Sequence, residues 1–179
     1  LHDIVVTVGT TTDTWSVTTK AGGSRFFVTA STYQGSALAG LAGADIICQT
    51  EGDLHYPVPV RTWKAVLSDQ TTNLKDRITL VYPLVNACDD SVIEVDRLYS
   101  STHDGAIKRG DAGDCSVGGY WAWAGSFSDG SKYASLTCTN WSSGTGSGRA
   151  GTPDQLDSNW ITYTNRSCTE SRYLYCVSQ

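Results

Sequence analysis

Cys168-Thr169-Glu170-Ser171-Arg172-Tyr173-Leu174-Tyr175-Cys176 stands three residues from the end of the chain and decides its fold. Two cysteines at this spacing lack the tight Cys-x-x-Cys step of a zinc knuckle. They read as disulfide halves that pin a C-terminal strand, with Leu174 and Cys176 on one side of it. Upstream, Cys138-Thr139-Asn140-Trp141 forms a second anchor. Between the anchors runs a Gly/Ser loop of about twenty residues, long enough to be a binding surface or disorder.

Working outward, the 179 residues suffice for one domain with its own core. Hydrophobic residues make up 40% and there are 6 Trp, which argues against a disordered chain. The 6 cysteines are scattered, which fits three disulfides and an oxidising compartment, hence a secreted or cell-surface protein. Free buried thiols are the alternative. The net charge is −5, and the 13 Lys and Arg do not cluster. Nucleic acid, heparin-like polymers and acidic membranes are therefore poor partners. No run of about eighteen apolar residues occurs, so no membrane insertion is expected. The chain contains no Met and starts at Leu1 without a signal-peptide pattern. It is expected to be a C-terminal piece of a longer exported protein.

Residues 1–24 differ from the rest. Ile4, Val6 and Val8 alternate through a β-branched run that favours extended structure, and Ala21-Gly22-Gly23-Ser24 breaks it. The segment is either a strand added to the domain or a stalk pairing with its own copies, a trimer for example. From residue 25 onward, 25–30 reads as a strand and 35–49 as a helix with Leu38, Leu41, Ala42, Asp45, Ile46 and Cys48 on one face. Gly35, Gly40 and Gly43 weaken that helix by about 1 kcal/mol each unless it packs closely on a sheet. Strands are expected over 61–68, 80–85, 92–98, 120–124 and 173–177, a short helix over 73–78, and loop over 100–119. The sum is an α+β fold with a mainly antiparallel sheet, one or two helices and long disulfide-stapled loops.

Four stretches in order carry a resemblance. Gly43-Ala44-Asp45-Ile46-Ile47-Cys48-Gln49, Thr62-Trp63-Lys64-Ala65-Val66-Leu67-Ser68, Trp123-Ala124-Gly125-Ser126 with Cys138-Thr139-Asn140-Trp141, and the closing cysteines resemble endostatin, the C-terminal domain of certain collagens. The chain looks closest to the endostatin-like domains of bacterial surface proteins, over residues 25–179. The resemblance implies a C-type-lectin-like fold with disulfides Cys48–Cys176 and Cys138–Cys168, leaving Cys88–Cys115 to staple the central loops. It does not carry over endostatin's heparin or zinc binding, since this chain is acidic and only His2 lies near its N-terminus.

Calcium-dependent sugar binding needs a Glu/Gln-Pro-Asp/Asn motif and an Asn-Asp pair beside the third cysteine. The chain offers Thr152-Pro153-Asp154, Asp157 and Asn159, but Thr164-Asn165-Arg166-Ser167 before Cys168. Half of such a site is present; turn and capping chemistry is the plainer reading. Asp104, Asp111 and Asp114 form a second oxygen-rich loop, more plainly a solvated one. No cofactor is expected, with calcium as the alternative. Of the tryptophans, Trp123 and Trp141 belong in the core by the resemblance. In a strand Trp121 is expected to point away from Trp123, which leaves one of the two open to solvent, and Trp160 in the loop is undecided between core and ligand site. Exposed aromatic faces framed by Asn, Asp and Ser suit sugar rings. His2, His55 and His103 follow no metalloenzyme pattern, and no nucleophile elbow or phosphate loop occurs, so no enzyme is expected. The sequons at Asn140 and Asn165 matter only in a eukaryotic source.

The expected function is extracellular recognition, an adhesin-type lectin-like domain at the tip of a surface or fibre protein. Its expected partner is a glycan or a surface protein of another cell, met by Trp121, Asp154, Asp157, Asn159 and Trp160. The alternatives are a structural or protein-binding cap and a hydrolase with an acidic cleft.

Overall fold

A computed structural model describes residues 22–110 and 115–179 and, as backbone alone, the strands β1 (His2–Val8) and β2 (Thr11–Val17). β1 and β2 pair antiparallel with each other in a sheet of their own.

The closing stretch is the middle of the large sheet. The second half of β11 (Ser171–Ser178) pairs antiparallel with β3 (Arg25–Val28) on one edge and with β5 (Trp63–Ala65) on the other; Cys176 faces Phe27 and Ala65. Its first half pairs antiparallel with β4 (Tyr33–Gln34) and parallel with β8 (Ala122–Trp123). Outward from β3 come β6 (Leu84–Asn86), parallel to it, and β7 (Val92–Glu94). Outward from β8 come β9 (Ser147–Gly151) and β10 (Thr164–Ser167), both antiparallel. The architecture is mixed α+β with a mostly antiparallel sheet.

Both faces of that sheet are covered, which is why Leu174 to Ser178 are buried without a break. Alternate side chains go to opposite layers. Phe26, Val28, Tyr175 and Val177 join Leu98, Ile107 and Trp160 under the loops, whereas Phe27, Leu174 and Cys176 join Ala44 and Cys48 under the helix.

That helix, α1 (Gly40–His55), starts later and ends later than the spacing predicted. Gly35–Leu38 is a separate 3-10 turn, and Ala39 at φ 52° and Gly40 at φ 79° turn the chain between the two. Its inner face is also more polar than predicted. Asp45 Oδ1 accepts from Ala65 N at 2.9 Å and Gln49 Oε1 from Trp63 N at 2.9 Å. The helix thus satisfies the free N–H groups of β5, and Ile46, predicted inward, is 67% exposed. Arg77, at the end of α2 (Leu74–Arg77), forks onto both oxygens of Asp45 at 2.7 and 2.6 Å. A Cβ on Gly52 would lie 2.3 Å from Trp63, so α1 sits against β5 at a distance only glycine allows.

Three disulfides close the fold: Cys48–Cys176, Cys88–Cys115 and Cys138–Cys168. Cys48–Cys176 and Cys138–Cys168 are the pairings the resemblance implied, and Cys88–Cys115 is the pair it left over. The turn α3 (Cys138–Trp141) is left-handed, with φ of 48°, 53°, 57° and 59° at its four non-glycine residues, each costing about 1–2 kcal/mol. Holding it are the Cys138–Cys168 bond, the Trp141 indole N–H on Ser68 O at 2.7 Å, and Asn140 Oδ1, which accepts from Gln70 N at 2.9 Å.

The Gly/Ser stretch is not one loop. Ser147–Gly151 is strand β9, because Gly148 brings its bare Cα against Trp123, Cys138 and Trp141, where a Cβ would lie 2.8–3.0 Å from each. Asn159–Thr162 is a helical turn, α4. The strand expected over 120–124 shrinks to Ala122–Trp123.

Candidate functional site

Trp121 immediately precedes β8 and is held by its backbone oxygen, which accepts from Tyr173 N at 3.1 Å. Its half-burial does not come from pointing away from Trp123. Residues i and i+2 of an extended strand share a face, and both indoles pack on the helix-side cluster. Trp123 is fully buried inside the sheet, whereas Trp121 sits beyond the strand end.

Trp121 and Gly119 form the wall shared by two clefts. One, of about 280 Å³, is completed by Thr32, Ser171, Arg172 and Tyr173. The other, of about 310 Å³, is completed by Thr152, Asp154, Gln155 and Tyr163. In the second, Asp154 Oδ1 accepts from the Thr152 hydroxyl at 2.5 Å. Its Oδ2 lies 3.7 Å from where a Cβ on Gly119 would stand, an ordinary van der Waals distance. Tyr163 is 50% exposed and supplies an aromatic surface beside these oxygens.

Two guanidinium groups lie over the Trp121 ring: Arg166 from β10, with its carbon 3.2 Å from the centroid, and Arg172 from β11, at 4.9 Å. Arg172 is ion-paired with Glu170 and donates to Ser171 O at 2.7 Å. Burial, and after it the like charge of Arg166, holds the Arg172 pKa below its usual value. Arg166 has no carboxylate or hydrogen-bond partner among the described residues, and the Nε atoms of both arginines are shut from solvent without an acceptor there.

The scaffold behind the clefts is polar and satisfied. Buried Glu51 of α1 accepts from Ala30 N at 2.6 Å, Ser31 N at 3.4 Å and the Tyr33 hydroxyl at 2.6 Å, fixing the segment that carries Thr32. Burial and the hydrogen bond to Glu51 raise the Tyr33 pKa well above that of a free phenol. The Trp123 indole N–H donates to Tyr33 O at 2.8 Å, and Tyr120 packs on Tyr173 with ring centroids 4.8 Å apart.

Of the residues expected to meet a ligand, Trp121 and Asp154 share a cleft. Asp157 and Asn159 do not join them: Asp157 Oδ1 accepts from Asn159 N at 2.9 Å and Oδ2 from Asn159 Nδ2 at 3.1 Å, a turn that starts α4. Trp160 has no face for a ligand, since it is fully buried against Phe26, His103 and Tyr175. Its bulk fills the layer under the loops, where Gly- and Ser-rich sequence supplies few other large side chains. Asp104 is exposed, and Asp111 and Asp114 lie outside the described residues.

Asp154 and Asp157 do not belong to a close group of His, Cys, Asp or Glu side chains among the described residues. Among the described residues, the group of His, Cys, Asp or Glu close enough for a metal is Cys88, Asp89 and Cys115, whose two sulfurs are bonded to each other. Arg166 also puts a cation into the segment where such a site needs carboxylate oxygen. Sequence reasoning missed Tyr163, Arg166 and Arg172. In the sequence, Arg166 stands in the segment before Cys168 where a calcium–sugar site would carry Asp.

No family model matches the chain, and no curated protein matches it.

Proposed function

We propose that this chain is an extracellular recognition module, an endostatin-like domain of C-type-lectin-like fold, that binds glycans on a target surface at the Trp121 clefts. The observation that carries the reading is the shared wall: Trp121 and Tyr163 offer aromatic surface, with Thr152, Asp154 and Gln155 beside them. Aromatic rings take the C–H faces of a sugar while fixed polar groups read its hydroxyls. A scaffold tied by three disulfides suits an oxidising, extracellular setting. The lectin-like reading is supported by the first helix bonded to the last strand, and by β3 lying beside β11. Binding is metal-free, and the module is not an enzyme. Single sites of this size are weak, so display in several copies through the N-terminal segment supplies avidity.

The test is an NMR titration of the chain with a panel of saccharides. Binding moves the Trp121 indole resonance together with Tyr163 and Asp154, and Trp121→Ala abolishes the response. Saturating additions that move none of them count against the reading.

A second reading, a protein-binding or structural cap, is favoured by a different surface. Leu54 in the last turn of α1, and Val58 and Val60 after it, are 71%, 86% and 90% exposed. It predicts no glycan response and a partner protein whose binding Val60→Glu weakens.

A further inference from the structure

We propose that the glycan taken at Trp121 carries a carboxylate, which Arg166 and Arg172 bind; this rests on the reading of the Trp121 clefts as a glycan site.

The chain has 18 acidic against 13 basic residues, so carboxylate partners are plentiful. Other arginines find them: Arg77 forks onto Asp45, and Arg25 pairs with Asp90. Arg166 does not, and instead lies on an indole beside a second guanidinium. Two like charges held together at a cleft rim disfavour each other, and one Glu170 offsets one of them. A bound anion relieves that repulsion. Burial of Arg172 adds to the effect, because its side chain is only 17% exposed and its charge is poorly solvated.

The geometry favours a carboxylate on a sugar over an extended polyanion. A guanidinium is a planar fork that matches the two oxygens of a carboxylate. The positive charge here is local, two arginines over one indole, of which Arg172 also lines the cleft of about 280 Å³, on a chain of net charge −5 that would repel a long sulfated polymer. The first cleft holds Arg172, and the second adds Tyr163 and Gln155 across the same indole, room for one acidic unit and part of its neighbour.

The test is tryptophan fluorescence and calorimetry on the full chain with sialyllactose, trigalacturonate, the methyl esters of both, lactose and a heparin fragment. The expected result is at least tenfold tighter binding of an acid than of its ester. Arg166→Gln brings the acid down to the level of the ester, and Arg166→Lys recovers only part, since it restores charge without the fork. The acid-to-ester ratio is read on the unmodified chain, so it stands even if a variant folds poorly. Equal binding of acid and ester overturns this inference and leaves the glycan reading standing. Preference for heparin over both acids overturns it in favour of sulfate. No response to any saccharide removes the glycan reading and this inference with it.

Discussion

The guanidinium of Arg166 lies on the indole of Trp121, 3.2 Å from the ring centroid, with no carboxylate of the described chain beside it. One residue comes from the strand β10, the other from just before β8, and the sheet order β10-β9-β8 brings them together. A tryptophan that sequence alone offers as a bare sugar platform is thus part of a charged aromatic surface.

Removing a disulfide costs more the longer the loop it closes, with the logarithm of the loop length. Cys48–Cys176 spans 128 residues and Cys138–Cys168 spans 30. In the chain-entropy account these stabilise by about 5 and about 3.5 kcal/mol. Paired Cys→Ala variants measured by denaturant unfolding are expected in that order. The Cys138–Cys168 variant is also expected to lose the left-handed turn at Thr139 and Asn140, visible as large backbone shift changes there.

Glu51 is expected to hold the β3–β4 connection. Glu51→Ala leaves the N–H groups of Ala30 and Ser31 and the Tyr33 hydroxyl without their acceptor, a loss of about 3 kcal/mol. Glu51→Gln keeps an acceptor oxygen and is expected to lose less. Urea midpoints of the two variants check the order.

Much of this was legible in the chain and some was not, for identifiable reasons. The closing strand announced itself because both of its faces are covered, which leaves a run of apolar letters from Tyr173 to Val177. Strand β9 did not, because a strand whose contact with Trp123 and Trp141 requires glycine at 148 looks like a loop. The inner face of α1 misled at Ile46, since the helix turns Asp45 and Gln49 inward to serve the free edge of β5. At the site, Trp121 and Asp154 were visible as residue types. Their meeting with Tyr163, Arg166 and Arg172 depends on strand order, which no local pattern encodes. Trp160 stands inside polar sequence, which leaves it open between core and ligand site, and His103 and Ile107 of the loop over it bury it.

Trp160 is therefore expected to report on stability. Trp160→Ala removes a fully buried indole and is expected to cost about 3–5 kcal/mol. Trp160→Phe, which keeps part of the volume, is expected to fold and to bind saccharide as the unmodified chain does. Lost binding in a well-folded Trp160→Phe chain would return this residue to the site.

His103 is expected to make stability fall in mild acid. It is buried, its ring centroid 4.6 Å from that of Trp160, and Nε2 lies 3.4 Å from Leu98 O. Burial lowers its pKa below 6.5, against smaller opposing contributions from the Leu98 contact and the charges of Glu94 and Asp104. The unfolded chain then binds the proton more readily than the folded one. The stability tied to a neutral His103 is complete above about pH 6.5 and declines as pH falls from there toward the folded pKa. Unfolding free energies between pH 5 and pH 8 are expected to show this slope, and His103→Gln to flatten it.

The central claim is that this chain reads glycans at Trp121. The most direct measurement is a glycan array probed with the folded chain and with Trp121→Ala, in calcium and again in chelator. Specific hits are expected for the unmodified chain, unchanged by chelator, enriched in carboxylate-bearing sugars and lost in Trp121→Ala. A blank array with folded, multivalent protein, or hits that Trp121→Ala leaves intact, would contradict it.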